Sequence, residues 1–168
     1  LGDVYKRQED RYGYVIFLQN MYKAINPLGY PLFSALAPKV SDTQQGTLYE
    51  GHDYGAIASS VDKVLLMTYE WGYTYGPPMA VAPINKVNEV VEYALTRISS
   101  SKILLGVPTY GYDWPLPFEQ GVTKATSLSP VECIRIAEAN NAEIQFDTVA
   151  QSPWFRYCLL YTSDAADE

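Results

Sequence analysis

Three short apolar runs set the pattern of the chain. Leu32-Phe33-Ser34-Ala35-Leu36-Ala37, Val64-Leu65-Leu66-Met67 and Ile103-Leu104-Leu105-Gly106-Val107-Pro108 are, Ser34 apart, without a polar residue at odd or even positions. Runs of this length predict strands buried on both faces, as parallel sheets use them. Stretches of helical period stand between them. Glu9 to Ile25 brings Val15, Leu18, Tyr22 and Ile25 to one face, with Phe17 and Met21 widening it, and Asn26-Pro27-Leu28-Gly29 stops the helix. Ile84 to Ile98 turns Val87, Val90, Val91, Ala94, Leu95 and Ile98 inward. Asp53 is placed to cap a short helix through Val61. Strands alternating with helices predict an α/β fold with a parallel sheet.

The last two strands run out into polar and aromatic residues: Thr68, Tyr69, Glu70, Trp71 and Tyr73 after one, Tyr110, Tyr112, Asp113 and Trp114 after the other. Ligand sites of α/β barrels and doubly wound sheets lie at the carboxyl ends of the strands. Rings and carboxylates together suit a sugar, which offers C–H faces to the rings and hydroxyls to the acids. For Tyr73 and Tyr75 a plain cover over the sheet end is the better reading. From Pro115 the pattern changes. Ser129-Pro130 opens a helix to about Asn140, and Glu143 to Asp147 and Trp154 to Tyr157 alternate like exposed strands, which reads as an inserted α+β piece.

The bulk numbers narrow this. The 168 residues suffice for one modest domain, and 15 tyrosines against 5 phenylalanines favour wet, groove-like surfaces. A net charge of −7 argues against nucleic acid and anionic membrane as partners. No apolar run approaches the roughly 20 residues of a membrane span. His52, the single histidine, has no nucleophile signature beside it and reads as a loop or cap residue; Asp42, Asp53 and Asp62 read as caps. Cys133 reads as a small apolar helix residue. No metal-ligand spacing, phosphate loop or dinucleotide glycine pattern occurs, so no cofactor is expected.

The two ends answer each other. Asp3 to Gln8 back-translates as GAT GTG TAT AAG AGA CAG, and its reverse complement, read one base in, encodes Cys-Leu-Leu-Tyr-Thr-Ser, the residues at Cys158 to Ser163. This resembles a sequencing-library adapter translated in frame. The expectation is that 1–8 and 158–168 are adapter-derived and that 9–157 is the natural segment. That segment then carries a net −5 and one cysteine, Cys133, with no intrachain disulfide available.

Leu66-Met67-Thr68-Tyr69-Glu70 resembles the Met-x-Tyr-Asp strand of glycoside hydrolase family 18, and Lys102 to Trp114 resembles that family's next barrel strand. Glu9-Asp10-Arg11, Ala35 to Lys39, Glu50 to Tyr54, Gly76 to Ala80 and Ala150 to Pro153, in this order, resemble its spore-germination and cortex-lytic N-acetylglucosaminidase branch (the YaaH/SleL type). The resemblance implies a partial (β/α)8 TIM barrel, about strands five to seven with flanking helices, plus part of a small α+β insertion. It implies a retaining glycosidase whose nucleophile is the substrate's own acetamido group. It assigns catalytic roles to Tyr69, holding the acetamido oxygen, and to Glu70, one methylene longer than the family's Asp. It assigns substrate contacts to Met67, Trp71, Tyr110, Asp113 and Trp114. The partner implied is a polysaccharide containing N-acetylglucosamine, in peptidoglycan or chitin, and the place a bacterial spore or cell envelope. The family's D-x-x-D-x-D-x-E motif, source of the general acid, is not found in the chain. The expectation is a hydrolase segment without turnover of its own, or else a catalytically dead carbohydrate-binding module.

Overall fold

Helix α1 (Arg11–Ile25) forms where the helical period predicts it and buries Val15 and Leu18. The structure, a computed structural model, describes residues 10–158 and 160–164. The buried stripe of α1 is narrower than expected, because Phe17 is exposed and Met21, Tyr22 and Ile25 are half-buried. Two residues past Val15 a helix has turned about 200°, which takes Phe17 off the buried side.

The chain divides into two compact units. Among the described residues, one takes in those up to Thr68 together with Glu89–Gly106; the other takes Tyr69–Asn88 and those from Val107. In the first, strands β1 (Phe33–Leu36), β2 (Lys63–Leu66) and β3 (Ile103–Leu105) form a parallel sheet in the order β1-β2-β3. Helix α2 (Tyr54–Ser59) separates β1 from β2 in sequence, and α3 (Ile84–Leu95) separates β2 from β3. This is the alternation the sequence predicts. Asp53 caps α2 as expected: its Oδ1 accepts from the Ala56 N–H at 3.0 Å, while Arg11 Nε and Nη2 donate to its Oδ2 at 3.2 and 2.8 Å.

Burial on both strand faces does not hold. Ser34 and Leu36 share a face with Val64 and Leu66, and this face is buried; Tyr14 of α1 lies over it, with its hydroxyl 2.9 Å from Ser34 Oγ. The other face carries Phe33, Ala35, Leu65 and Leu104, and Phe33 is 53% and Leu104 38% exposed. β3 ends the sheet, and Leu105 is 46% exposed. An apolar run states what a strand could bury and not what covers it. On α3, Val90 and Ala94 are buried, whereas Val87 and Val91 are half-buried and Leu95 is exposed.

The three aspartates differ. Asp62 does not cap a helix start: it accepts from the Leu32 N–H at 2.7 Å, a long-range bond to the residue just before β1. Asp42 caps nothing: it accepts from Tyr93 Oη at 2.7 Å and is paired with Arg97. His52 is a buried bracket. Its Nδ1 accepts from the Ala37 N–H at 3.0 Å, and its carbonyl accepts from the buried Lys39 ammonium at 3.1 Å. Burial, then the nearby Arg11 charge, hold Lys39 below the ordinary lysine range.

The second unit is antiparallel. Strands β4 (Gly111–Pro115), β5 (Thr126–Leu128), β6 (Gln145–Asp147), β7 (Ser152–Tyr157) and β8 (Leu160–Asp164) stand in the order β5-β4-β8-β7-β6. Helix α4 (Pro130–Ala139) opens on a capping box between Ser129 and Glu132 and packs Cys133 and Ala137 against Phe155. The sequence pattern anticipates α4, β6 and β7 but neither β4 nor β5. The antiparallel pairing begins at Gly111, ahead of Pro115. β8 lies in the stretch set apart as adapter-derived, and its backbone pairs with β4 from Leu160 to Asp164 and with β7 from Leu160 to Ser163.

Candidate functional site

The site is built from one loop and one strand of the second unit. The loop begins at Tyr69 and is closed by two backbone bonds: Trp71 N–H to Val81 O at 3.0 Å and Gly72 N–H to Ala80 O at 2.9 Å. The two arms meet so closely at Gly72 that a Cβ there would stand 2.0 Å from Met79 O. The loop's tip is fastened by the Ala125 N–H, donating to Thr74 O at 2.7 Å, and by Trp114 Nε1, donating to Gly76 O at 2.9 Å.

Strand β4 supplies the other wall. Successive residues of a strand face opposite ways. Tyr112 and Trp114 therefore share a face, and they pack with Val81 and Ala125 into a small core against which Tyr69, Tyr110 and Phe118 lie half-buried. The Tyr110 and Tyr112 rings meet edge to face with centroids 5.8 Å apart. Above this core sits Glu70, exposed, with a backbone φ of 67°. A residue with a Cβ pays roughly 1–2 kcal/mol for that left-handed conformation. Here it coincides with a specific contact: Tyr110 Oη donates to Glu70 Oε1 at 2.5 Å, and Tyr112 Oη donates to the same oxygen at 2.9 Å. Burial, then the neighbouring Glu70 carboxylate, push the Tyr110 phenol well above the ordinary tyrosine range. Burial raises Tyr112 as well, opposed by Thr74 and reinforced by Glu70.

The structure thus brings together Tyr69, Glu70 and Tyr110 of the expected site. Trp71 follows on the same loop, half-buried. Met67 belongs to the first unit, where its N–H continues the sheet by donating to Leu36 O at 3.0 Å. Two expectations need correction. Asp113 points to the opposite face of β4 from Tyr112 and accepts from Tyr157 Oη at 2.7 Å, so it does not join Glu70. Trp114 has 0% exposure and offers no ring face on which a sugar could stack. Counting by twos along β4 separates Asp113 from Tyr112 in advance. Tyr112 is the residue that sequence reasoning missed, since its place among the aromatics after the strand does not show that its hydroxyl reaches Glu70. Among the described residues no group of three or more His, Cys, Asp or Glu side chains could hold a metal. The arrangement can present an acceptor carboxylate, a phenol and ring faces to a neutral polar ligand.

Comparison with known proteins identifies the family. The family described as glycosyl hydrolases family 18 matches residues 3–164. The cortical fragment-lytic enzyme of Bacillus subtilis (strain 168) is 52% identical over 153 residues, which cover 91% of this chain and 36% of that protein. Among solved structures, the Bacillus cereus spore cortex-lytic enzyme SleL matches with a TM-score of 0.88 at 41% identity, over 94% of this chain and 37% of that one. SleL of Bacillus megaterium QM B1551 matches with a TM-score of 0.87 at 42% identity, over 94% and 36%. The chain spans about a third of the length of the curated relatives it matches.

Proposed function

The chain belongs to family 18 of the glycosyl hydrolases, and on that premise we propose that it is part of a retaining, substrate-assisted glycosidase acting on β-linked N-acetylglucosamine. Peptidoglycan of the spore cortex is the first candidate substrate and a chitin-like glycan the second. In this reading β1, β2 and β3 are three neighbouring strands of a (β/α)8 barrel, about the fifth to the seventh, and the antiparallel unit is the α+β insertion. Residues 9–157 are the natural segment. The observation that carries the reading is Glu70, held by two tyrosine hydroxyls next to Tyr69.

The roles follow from the chemistry of an acetamido nucleophile. Its carbonyl oxygen attacks the anomeric carbon and closes an oxazolinium ring while the leaving oxygen takes a proton from an acid. Tyr69 donates its phenolic hydrogen bond to that carbonyl oxygen and holds it in line. Glu70 accepts from the amide N–H or a sugar hydroxyl. Trp71 and Tyr110 offer rings to the sugar's C–H face. The proton donor belongs to the motif that this chain lacks, so the chain by itself binds and does not cleave.

Calorimetry with the N-acetylglucosamine trimer and a reducing-end assay on cortex fragments test this together. Expected are binding by the chain, weaker binding by Tyr69→Phe, and no release of N-acetylglucosamine. Release would overturn the assignment of the acid, and failure to bind would overturn the sugar site. The missing acid motif also favours a second reading, a carbohydrate-binding member without catalysis. Hydrolysis of cortex fragments by the complete parent protein separates the two.

A further inference from the structure

Two three-residue segments of the first unit hold each other by four bonds. Ala37-Pro38-Lys39 follows β1, and His52-Asp53-Tyr54 leads into α2. The Ala37 N–H donates to His52 Nδ1 at 3.0 Å, and Tyr54 Oη donates to the Ala37 carbonyl at 2.5 Å. The Lys39 N–H donates to Tyr54 Oη at 3.0 Å, and Lys39 Nζ donates to the His52 carbonyl at 3.1 Å. Lys39, His52 and Tyr54 are all buried. Residues 40–51 form the loop whose two ends this bracket ties together.

One of the four bonds depends on a proton being absent. A ring nitrogen that accepts from an N–H carries no hydrogen, so His52 is the neutral tautomer with its proton on Nε2. A second proton has only Nδ1 to go to. It turns the acceptor into a donor facing the Ala37 N–H, and it places a positive charge in a buried ring whose own residue already holds the Lys39 ammonium. Helix α1 adds Arg11, a further cation near Lys39, and Tyr14, whose ring centroid lies 6.3 Å from that of the imidazole. Helix α3 adds Tyr93, whose ring stands 5.3 Å from Tyr54. The carboxylates near Lys39 are Asp42, Asp53 and Glu50. Asp42 is engaged by Tyr93 and Arg97, Asp53 by Arg11 and the Ala56 N–H, and Glu50 by the Gly46 N–H.

We propose that His52 is a pH-sensitive latch on the 40–51 loop, closed while its imidazole is neutral and released when the ring takes up a second proton. The fold binds the neutral ring, so the bracket is whole above the unperturbed histidine value of about 6.5 and is progressively lost as pH falls below it. Asp53, held below the usual carboxylate range, stays ionised through that window and keeps its cap on α2. On the barrel reading above, the loop follows a strand at its carboxyl end, where barrel enzymes carry their substrate loops; the latch itself does not rest on that reading.

A single histidine makes the test direct in the full chain. At neutral pH, 15N NMR of the imidazole is expected to show a bare Nδ1 and a protonated Nε2; a proton on Nδ1 overturns the latch. Amide exchange is then followed as pH is lowered, expressed as protection relative to the unfolded-chain rate at each pH. As the imidazole charges, protection at Ala37 and Lys39 is expected to fall about two- to tenfold, the range of one neutral hydrogen bond, while Ala56 and the amides of β2 keep theirs. Unchanged protection at Ala37 beside a charged imidazole, or a loss shared by Ala56 and β2, overturns a local release. These readings need no substitution. Lys39→Met removes the like charge and keeps an unbranched side chain; it is expected to move the imidazole midpoint upwards, and an unmoved midpoint overturns the opposition of the two groups.

Discussion

Replacing Gly72 by alanine separates the loop's architecture from its chemistry. The new Cβ would stand 2.0 Å from Met79 O and 2.9 Å from Met79 C. Ordinary contact begins at 3.4 Å, so the arms must part by at least about 1.4 Å. The obstacle is backbone and cannot rotate aside. Parting breaks the Gly72–Ala80 and Trp71–Val81 bonds. At roughly 0.5–1.5 kcal/mol each, the loss is about 1–3 kcal/mol of local stability. Amide hydrogen exchange at residues 71 and 72 reads this directly and should accelerate roughly 5- to 150-fold. Affinity for the N-acetylglucosamine trimer should fall with it, because Glu70 sits at the loop's base. Gly76→Ala is the control. Its Cβ would meet the Tyr73 ring at 2.5 Å, but Tyr73 is 42% exposed and can swing into solvent. Equal effects at the two glycines, or intact protection at 71 and 72 in Gly72→Ala, would refute the reasoning.

Four further outcomes are expected. Asp53→Ala removes the cap of α2, about 0.5–2 kcal/mol, and the half-exposed Arg11 pair, about 0.2–1 kcal/mol, whereas Asp53→Asn keeps the cap; exchange at the Ala56 amide ranks the two. Burial works against ionisation of Asp53, but the Ala56 N–H and Arg11 outweigh it and hold the carboxyl below its usual range, so this stability is complete above the unfolded value of about 3.9 and is lost as pH falls below it; an acid titration that gains protection there contradicts the assignment. Trp114→Phe strands the Gly76 carbonyl in the core and should cost about 1–3 kcal/mol in denaturant unfolding, with an unchanged midpoint counting against the bond's importance. The open face carrying Phe33 and Leu104, with an unpaired edge at β3, should drive concentration-dependent self-association, and sedimentation as a single monomer at every concentration would exclude it.

The parallel sheet was legible because Val64 to Met67 and Ile103 to Leu105 have no polar interruption, and α4 because Ser129-Pro130 states a helix start. The open face was not, since Phe33 and Leu104 look the same in sequence whether or not anything covers them. β4 hid behind its own aromatics. Tyr110, Tyr112 and Trp114 read as a cluster after a strand, while their spacing of two already described a strand of its own. That spacing also decides Asp113, which faces Tyr157 and not Glu70. Trp114 misled for a different reason. Its indole serves the protein's own Gly76 carbonyl, and a sequence does not reveal whether a ring is turned inward or outward. The grouping of Tyr69 with Glu70 needed no tertiary information, because they are adjacent. Tyr112 reaches Glu70 from 42 residues further along the chain, which no local pattern encodes.

The left-handed backbone at Glu70 has a consequence for anyone who diversifies this position. Glycine, and to a lesser degree asparagine, adopts φ near 67° with less strain than glutamate. A library screened for heat resistance alone should drift towards those two residues and register the change as an improvement. The same library screened for retention on an N-acetylglucosamine resin should return glutamate. Enrichment at residue 70 under the two regimes therefore records in opposite directions what the fold prefers and what the ligand demands.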